Sequence, residues 1–180
     1  GISSISEMDD DTKAWAEKAK REGKIRFFGF STHSNMEKCL LGAAKLGWVD
    51  GIMMTYNYRL MHEPRMNAAV EACYRAGIGL TAMKTQGGNR LNKEEGVHIN
   101  HQAALKWVFA NPHVCTAIPG MTTFDQINEA VAAVASGPSP AEVAMLRRYA
   151  EEMYDQYCRF CATCEASCPQ HVAVADVMRY

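Results

Sequence analysis

QAALKWVFANPHVCTAIPG, residues 102–120, contains a helix-like segment followed closely by a strand-like one. Residues 100–110 have the composition of a helix, which Asn111-Pro112 ends, and residues 114–118 form a short apolar run closed by Pro119-Gly120. A helix joined by a short link to a buried strand is one step of an alternating α/β chain, and this stretch therefore predicts that fold class.

The same alternation repeats along most of the chain. The predicted strands are 25–30, 49–56, 77–83 and 114–118, and the predicted helices are 8–22, 35–45, 64–76, 100–110, 123–135 and 140–156. Regular alternation with short links indicates a parallel sheet, and short continuous apolar strands are typical of one buried on both faces. Four strand–helix units are too few for an eight-stranded barrel, so the pattern fits a small open sheet or half of a barrel.

Composition narrows the class of protein and its partners. The chain has 180 residues, of which 48% are hydrophobic, which suits one domain or one domain with a small appendage. The net charge is −1 and both signs are mixed along the chain, so neither nucleic acid nor an anionic membrane is expected as a partner. No apolar run has the length of a membrane span and no signal peptide is visible.

Four cysteines lie within eleven residues near the C-terminus and are followed by a proline. They are Cys158, Cys161, Cys164 and Cys168, in the spacing C-x2-C-x2-C-x3-C-P that ferredoxins use for a [4Fe–4S] cluster. Zinc sites more often use two separated CxxC pairs, and the odd total of seven cysteines argues against a disulfide framework. The run predicts a [4Fe–4S] cluster, and hence the cytoplasmic setting usual for an oxygen-sensitive group.

The fourth ligand and the remaining cysteines need separate interpretation. In two-cluster ferredoxins the last cysteine of such a run binds the other cluster, so either Cys168 completes its own cluster or another ligand does. We favour Cys168. Cys39, Cys73 and Cys115 lie among apolar residues, and we expect all three to be small buried core side chains.

Six stretches, taken together and in order, resemble one enzyme family. They are GKIRFFGFSTH (23–33), VDGIMMTYNY (49–58), GIGLTAMK (77–84), QAALKWVFANPHVCTAIPG (102–120), TTFDQINEA (122–130) and the tail YCRFCATCEASCPQHVAVADVMRY (157–180). The first five resemble the fifth to eighth strand–helix units of aldo/keto reductases, and the tail resembles the ferredoxin-type appendage of an iron–sulfur branch of that family. The resemblance implies the C-terminal half of a (β/α)8 TIM barrel over residues 1–137, then a helix and an iron–sulfur segment over 138–180.

The resemblance also implies an activity and its partners. Aldo/keto reductases transfer hydride between a nicotinamide cofactor and a small carbonyl or alcohol, using an Asp, Tyr, Lys and His tetrad on the first four strands. That tetrad would lie upstream of Gly1, so no residue here is assigned a catalytic role and the chain alone is expected to be inactive. The implied partners are the N-terminal half of the barrel, the small-molecule substrate and a possible redox protein; an export signal on the missing half stays open.

The resemblance carries cofactor roles over to three strand ends. Ser31 matches the residue that hydrogen-bonds the nicotinamide carboxamide, and Asn57 ends the next strand. The glutamine that helps to hold the carboxamide falls on Met53, and the tyrosine that stacks on the nicotinamide ring falls on Met83. A thioether packs on a ring less specifically than an aromatic side chain does.

Around the helix predicted over residues 123–135, the resemblance concerns the contacts with the cofactor phosphates. The lysine and arginine that hold the 2′-phosphate of NADP fall on Gly120 and Gln126, whereas Glu129 keeps the position that contacts adenine. Losing both cations should weaken phosphate discrimination, so NADH is expected to bind at least as well as NADPH. Thr122 and Thr123 could hold a dinucleotide phosphate at the helix N-terminus, although an ordinary threonine N-cap explains them too.

Two functions therefore follow from the sequence. The first is a nicotinamide-dependent oxidoreductase of the aldo/keto reductase type that carries an iron–sulfur cluster. The alternative is a non-enzymatic electron carrier or scaffold, in which the α/β part binds partner proteins. An isolated half-barrel would expose sheet edges and apolar surface, so we expect the 180-residue chain to be poorly soluble or to associate.

Overall fold

The computed structural model describes residues 1–87, 100–154, 158 and 163–178, in which strands and helices alternate. The strands are β1 Gly29–Thr32, β2 Gly51–Thr55, β3 Gly79–Met83 and β4 Thr116–Ala117. The helices are α1 Asp10–Arg21, α2 Met36–Ala43, α3 Pro64–Arg75, α4 His101–Phe109, α5 Phe124–Val134, α6 Pro140–Glu152 and α7 Val174–Val177. Short 3-10 turns span Ile5–Glu7, Tyr58–Leu60 and Thr163–Ser167. The predicted alternation is confirmed.

The four strands form one sheet in the order β1-β2-β3-β4. β1 pairs with β2 in parallel, with Gly29 opposite Gly51, and β3 pairs with β4 in parallel, with Thr81 opposite Thr116. Successive strands that are neighbours, parallel and joined through helices are the expected result of the strand–helix alternation. The predicted parallel α/β fold is confirmed.

Contacts divide the chain into two compact units. The first comprises Gly1–Met54, Arg65–Leu80 and Tyr157–Tyr180, and the second comprises Thr55–Pro64 and Thr81–Gln156. Helix α6 therefore packs within the second unit. The proposed division between residues 137 and 138 stays a prediction.

The first strand begins later than its apolar pattern suggested. Residues 25–28 were expected to be strand, but Phe27 is 70% exposed and Phe28 lies against two tryptophan rings, Trp15 and Trp48, at centroid distances of 5.9 and 5.6 Å. Pairing with β2 instead starts at Gly29, and only glycine fits there because an added Cβ would collide with the Gly51 carbonyl oxygen. Of the aromatic side chains that suggested a strand, Phe28 packs against α1 through Trp15.

The second unit has a core of its own behind the strand ends. Tyr58, Ala103, Ala104, Leu146, Tyr149 and Ala150 form a buried cluster, against which Met61, Trp107 and Met145 pack. The cluster joins the turn after β2 to helices α4 and α6. A salt bridge of 3.0 Å between Lys106 and Glu142 also joins these two helices, and both side chains are largely buried. These contacts connect the turn after β2 with α4 and α6, the elements beside the candidate site.

Two of the three scattered cysteines are buried as expected. Cys39 and Cys73 lie in the core of the first unit, and burial raises the pKa of the Cys73 thiol to about 11. Cys115 is exposed, so the expectation of a core position was wrong there. It precedes β4, the last strand of the sheet, where a side chain can face outward. No helix among the described residues is both long and apolar enough to span a bilayer.

Candidate functional site

In the second unit, the ends of β2 and β3 are linked by one buried side chain. Asn57 is only 4% exposed. Its Nδ2 donates a hydrogen bond of 3.0 Å to the backbone oxygen of Lys84, and its Oδ1 accepts one of 3.1 Å from the backbone N–H of Arg59. The Asn57 side chain thus donates one hydrogen bond to a backbone group and accepts one from another. Its contact here is structural, and a direct role in holding a cofactor stays a prediction.

The residue that Asn57 holds, Lys84, has an unusual backbone conformation. Its φ is 57°, in the left-handed region that a residue with a side chain seldom adopts. The Lys84 carbonyl also accepts from the N–H of Gly87 at 3.1 Å, which closes a tight turn directly after β3. Such strained positions persist only where surrounding contacts enforce them, and they are frequent at functional sites. The Lys84 side chain is exposed, at the carboxyl end of a parallel strand.

The next residue in this turn, Thr85, is buried. It is 1% exposed, and its hydroxyl has no hydrogen-bond partner among the described residues. Gly87 closes the turn against Tyr58, where an added Cβ would come within 2.8 Å of the phenol oxygen and φ is 73°. Only glycine fits that position.

A second polar pair lies beside this turn. Nδ1 of His101 and Oε1 of Gln86 are 3.0 Å apart. Because a carboxamide oxygen can only accept, Nδ1 donates this hydrogen bond and the neutral ring keeps its Nε2 lone pair as an acceptor. His101 is the first residue of α4 and is exposed. The sequence assigns no role to His101, and the hydrogen bond that orients its ring was not predicted.

Met83 lies on the inner side of the same strand end. Its side chain is 7% exposed, and its backbone oxygen accepts a 3.0 Å hydrogen bond from the N–H of Tyr56. The Tyr56 ring stacks on Trp107 at 5.3 Å, and its hydroxyl accepts from Asn111 at 2.8 Å. Burial raises the pKa of Tyr56, partly offset by the Asn111 hydrogen bond. The Met83 thioether is thus packed close to a core, and its stacking on nicotinamide stays a prediction.

Ser31 belongs to the first unit, whereas the other predicted cofactor residues belong to the second. It lies within β1, opposite Met53 of β2, and is half-buried. Its backbone oxygen accepts a 2.8 Å hydrogen bond from the N–H of Ile2. Ile2 also forms a parallel bridge with Thr32, so this edge of β1 is partly paired by the first residues of the chain.

The residues expected around the cofactor phosphates all lie at the exposed N-terminus of α5. Thr123 is the N-cap and accepts from the Gln126 N–H at 3.3 Å. The Gln126 carboxamide oxygen in turn accepts from the Thr122 N–H at 2.6 Å, the Thr122 hydroxyl at 3.1 Å and the Thr123 N–H at 3.3 Å. Gly120 precedes this capping box, and Glu129, which was expected to contact adenine, lies further along α5; both are exposed. The other four predicted residues lie at one helix end because they are close in sequence.

The capping box sets a condition on phosphate binding. The Gln126 side chain bonds the N–H groups of Thr122 and Thr123, which come just before Phe124, the first helical residue. A phosphate that used either of these N–H groups would have to displace the carboxamide, whereas the N–H groups of Phe124 and Asp125 in the first turn are not bonded to it. The ordinary threonine N-cap is what the structure contains, and a phosphate role for Thr122 and Thr123 stays a prediction.

Three of the four clustered cysteines are described, and Cys161 lies outside the described residues. Cys158 and Cys168 are half-buried and Cys164 is exposed. Among the described residues, no three His, Cys, Asp or Glu side chains lie close enough to hold a metal ion. The described geometry therefore does not test the predicted ligand set.

The surroundings of Cys168 favour a thiolate. The backbone N–H of Val172, followed by those of Gln170 and His171, lowers the pKa of the Cys168 thiol. His171 has a φ of 50°, a left-handed turn that directs successive N–H groups to one point. N–H groups around a cysteine sulfur are the environment that iron–sulfur ligands have. The chemistry of this position suits a cluster ligand.

Several solved structures share the fold. A thermostable aldo-keto reductase, Tm1743, is 21% identical with a TM-score of 0.55, and covers 75% of this chain and 52% of that one. An aldo-keto reductase from Bacillus halodurans is 23% identical with a TM-score of 0.55, over 78% and 55% of the two chains. Aldose reductase from Giardia lamblia is 19% identical with a TM-score of 0.56, over 79% and 50%. No protein-family model and no curated protein matches the sequence.

These likenesses establish the fold and its extent. The chain has the parallel α/β fold of aldo-keto reductase structures, and it spans about half the length of those it matches, from 50% to 55%. The expectation of a half-barrel agrees with the four parallel strands and with this share. The iron–sulfur segment stays a prediction.

Sequence reasoning missed the polar turn after β3. Neither the left-handed turn at Lys84 nor the Gln86–His101 pair was predicted. Fifteen residues separate Gln86 from His101, and no periodic pattern relates a turn to the start of the next helix. The one available signal was position, because side chains that follow parallel strands gather at the carboxyl edge of the sheet.

Proposed function

We propose that this chain is the C-terminal half of a nicotinamide-dependent oxidoreductase of the aldo/keto reductase type. The observation that carries the proposal is the likeness to aldo-keto reductase structures at about half their length. The carboxyl ends of the strands, where parallel α/β enzymes build their sites, carry polar side chains held in place by neighbours. Fold alone permits many functions, so the residues at those strand ends must support the chemistry as well.

The chain's own residues serve to bind and orient the cofactor. Lys84 supplies a positive charge at a strand end, and no ion pair to it occurs in the described part of the chain. His101 offers an acceptor nitrogen held in orientation by Gln86. Thr122 and Thr123 add hydroxyl groups at the α5 terminus, once the Gln126 carboxamide is displaced. The proton donor for the carbonyl is supplied from outside this chain.

We further propose that Cys158, Cys161, Cys164 and Cys168 hold a [4Fe–4S] cluster. The donor set is four soft thiolates in the ferredoxin spacing, and the N–H groups around Cys168 stabilise the charged form of one of them. When bound, such a cluster supplies one-electron transfer to or from a redox partner. The cysteines anchor it, and the turn at His171 fixes the position of the last ligand.

Two observations favour the alternative function, a non-enzymatic iron–sulfur carrier or scaffold. The N–H groups of Thr122 and Thr123 at the start of α5 are bonded to the Gln126 side chain, and Met83 is buried where a nicotinamide-stacking side chain is expected. A chain that no longer bound a dinucleotide would tolerate both features. Dinucleotide binding therefore separates the two functions.

The decisive experiment uses the longer polypeptide that includes the residues encoded before Gly1. We expect it to bind NADH in a fluorescence titration and to oxidise NADH in the presence of an aromatic aldehyde. The 180-residue chain serves as the control and should show no turnover. Absence of dinucleotide binding in the longer polypeptide, with the cluster loaded, would reject the enzyme and favour the carrier.

A further inference from the structure

The turn after β3 combines two features that a short turn does not favour by itself. Lys84 has a φ of 57°, in the left-handed region that a residue with a side chain seldom adopts. The Thr85 hydroxyl is buried without a hydrogen-bond partner in the part of the chain that the structure describes, and burying a polar group in this way costs free energy. Neighbouring contacts must therefore impose this conformation on the turn.

The segment that follows β2 supplies these contacts. The Asn57 side chain donates a hydrogen bond of 3.0 Å to the Lys84 oxygen. Tyr58 is fully buried, and a Cβ added to Gly87 would come within 2.8 Å of its phenol oxygen and within 3.0 Å of two of its ring carbons. The Gly87 backbone thus packs directly against the Tyr58 ring, and the Gly87 N–H closes the turn on the Lys84 oxygen at 3.1 Å.

Helix α6 also packs against Tyr58. The 3-10 turn Tyr58–Leu60 lies against this helix. Tyr58 belongs to the buried cluster of the second unit, to which α6 contributes the side chains of Leu146, Tyr149 and Ala150. All of these residues, together with those of the turn after β3, belong to the second unit. The helix, the Tyr58 ring and the turn therefore form one continuous series of contacts.

We propose that Tyr58 is a positioning residue for the candidate site, and that α6 acts through it on the turn from Lys84 to Gly87. Packing of α6 keeps the Tyr58 ring against Gly87, and this contact keeps Lys84 in its left-handed conformation at the end of β3. Because coupling of this kind is reciprocal, a ligand that fixes the turn should also tighten the packing of α6. The inference rests on the proposed function only for the identity of that ligand.

Hydrogen exchange of the Gly87 N–H in the 180-residue chain measures the order of the turn, because this N–H donates to the Lys84 oxygen. Tyr58→Leu should speed the exchange about tenfold or more, since it removes the ring that packs against Gly87. Tyr58→Phe keeps the ring and should leave the exchange unchanged. Equal acceleration by both variants would contradict the proposal, because the ring would then not be what positions the turn.

A mild substitution that leaves Tyr58 in place tests the role of α6. Ala150 is 3% exposed, and Ala150→Gly should loosen α6 and speed the exchange at Gly87. Ala69→Gly is the matched control, because Ala69 is a fully buried alanine in α3 of the first unit. It should leave Gly87 unchanged, and circular dichroism verifies that both variants fold. The proposal fails if the two variants have the same effect on Gly87.

Two glycines with the same backbone conformation test the coupling in the reverse direction. Gly87 and Gly77 have φ values of 73° and 75°, so an alanine strains the backbone at both positions. An added Cβ meets the Tyr58 ring at Gly87 but meets nothing within 4 Å at Gly77. Gly87→Ala should therefore speed hydrogen exchange in α6 near Tyr149, whereas Gly77→Ala should not. Equal exchange in α6 for both variants would show that the turn and α6 are not coupled.

NADH binding by the longer polypeptide adds a functional measurement and separates this inference from the proposed function. Ala150→Gly should weaken NADH binding about fivefold or more, and Ala69→Gly should leave it unchanged. An unchanged affinity despite faster exchange at Gly87 would mean that Tyr58 does not position the site. If the unmodified polypeptide binds no NADH, the proposed function fails, and the exchange at Gly87 and in α6 alone decides this inference.

Discussion

At the scale of single residues, the cysteines that the structure describes differ in their environment. Cys39 and Cys73 are buried, and burial raises the pKa of both thiols, so they are inert core side chains. Cys168 has the opposite environment, since backbone N–H groups led by that of Val172 lower its thiol pKa. The opposite directions of these pKa shifts agree with a structural role for Cys39 and Cys73 and with the prediction that Cys168 is a ligand.

This contrast predicts the effect of two cysteine replacements. Protein made without oxygen should be brown and contain about four irons per chain, the number in one cubane cluster. Cys161→Ser should remove the colour and the iron, because the cluster loses one of its thiolates. Cys115→Ser should keep both, since Cys115 is exposed and remote in sequence from the run. Metal analysis checks the outcome, and stoichiometric zinc without iron would contradict it.

At the scale of elements, the sequence predicted which segments exist better than it predicted their limits. All four strands and the six longer helices occur in the predicted order, because glycine, proline and capping residues mark most boundaries. The start of β1 was wrong because hydrophobicity does not reveal that Phe28 packs on Trp15 and Trp48. Cys115 was misplaced for a related reason, because a short apolar strand looks the same at a sheet edge as in its centre.

The junction between α1 and the start of β2 provides a test of stability. Lys20 of α1 forms a salt bridge with Asp50, whose Oδ2 also accepts from the Phe28 N–H at 2.7 Å. Burial raises the pKa of Asp50, but the hydrogen bonds from Lys20 and Phe28 outweigh it and hold the pKa below its usual value. The pair therefore stabilises the fold above the ordinary aspartate pKa and loses this effect as the pH falls through the lowered one.

Lys20→Met should lower the free energy of unfolding by about 1 kcal/mol at pH 7, the upper range for a partly exposed pair. The loss should shrink as the pH falls through the lowered pKa of Asp50, because a protonated Asp50 no longer pairs with Lys20. Urea unfolding of the 180-residue chain at pH 7, 5 and 3 measures it. Lys18→Met is the control, because the Lys18–Glu22 pair is a surface contact at 3.8 Å and should matter little. An equal loss at all three pH values would show that packing, not charge, is responsible.

At the scale of the whole molecule, the order of strands and helices along the chain predicted the parallel sheet. Parts of the candidate site depend instead on contacts between side chains that are far apart in sequence. A parallel sheet follows from alternation alone, and its carboxyl edge follows from the direction of the strands. The Asn57–Lys84 link spans 27 residues and has no local signature. The Gln126 contacts at the start of α5 are local, because Thr123 and Gln126 have the T-x-x-Q spacing of a capping box, which the sequence contains. Long-range side-chain pairing therefore decides the first feature, whereas the second could have been predicted.

The preference for NADH or NADPH belongs to the longer polypeptide, and it can be tested by adding positive charges at the start of α5. Gly120 and Gln126 are exposed at the α5 terminus, and no cationic side chain occurs between residues 116 and 137 to hold a 2′-phosphate. The longer polypeptide should therefore bind NADH at least as tightly as NADPH. Replacing both residues, Gly120→Lys with Gln126→Arg, should raise the affinity for NADPH about tenfold or more, because a charge-assisted hydrogen bond contributes roughly 1.5–3 kcal/mol.

Titration of both dinucleotides against both proteins measures this preference, and the salt dependence supplies an internal check. Only the NADPH affinity of the double variant should weaken with added salt, since screening acts on the new cation–phosphate contact. The Gln126→Leu variant tests the effect of the capping contacts without any added charge. It frees the Thr122 and Thr123 N–H groups and adds no cation, so it should strengthen the binding of both dinucleotides equally. A strong NADPH preference in the unmodified protein would mean that another residue supplies the cation and that α5 does not bind the 2′-phosphate.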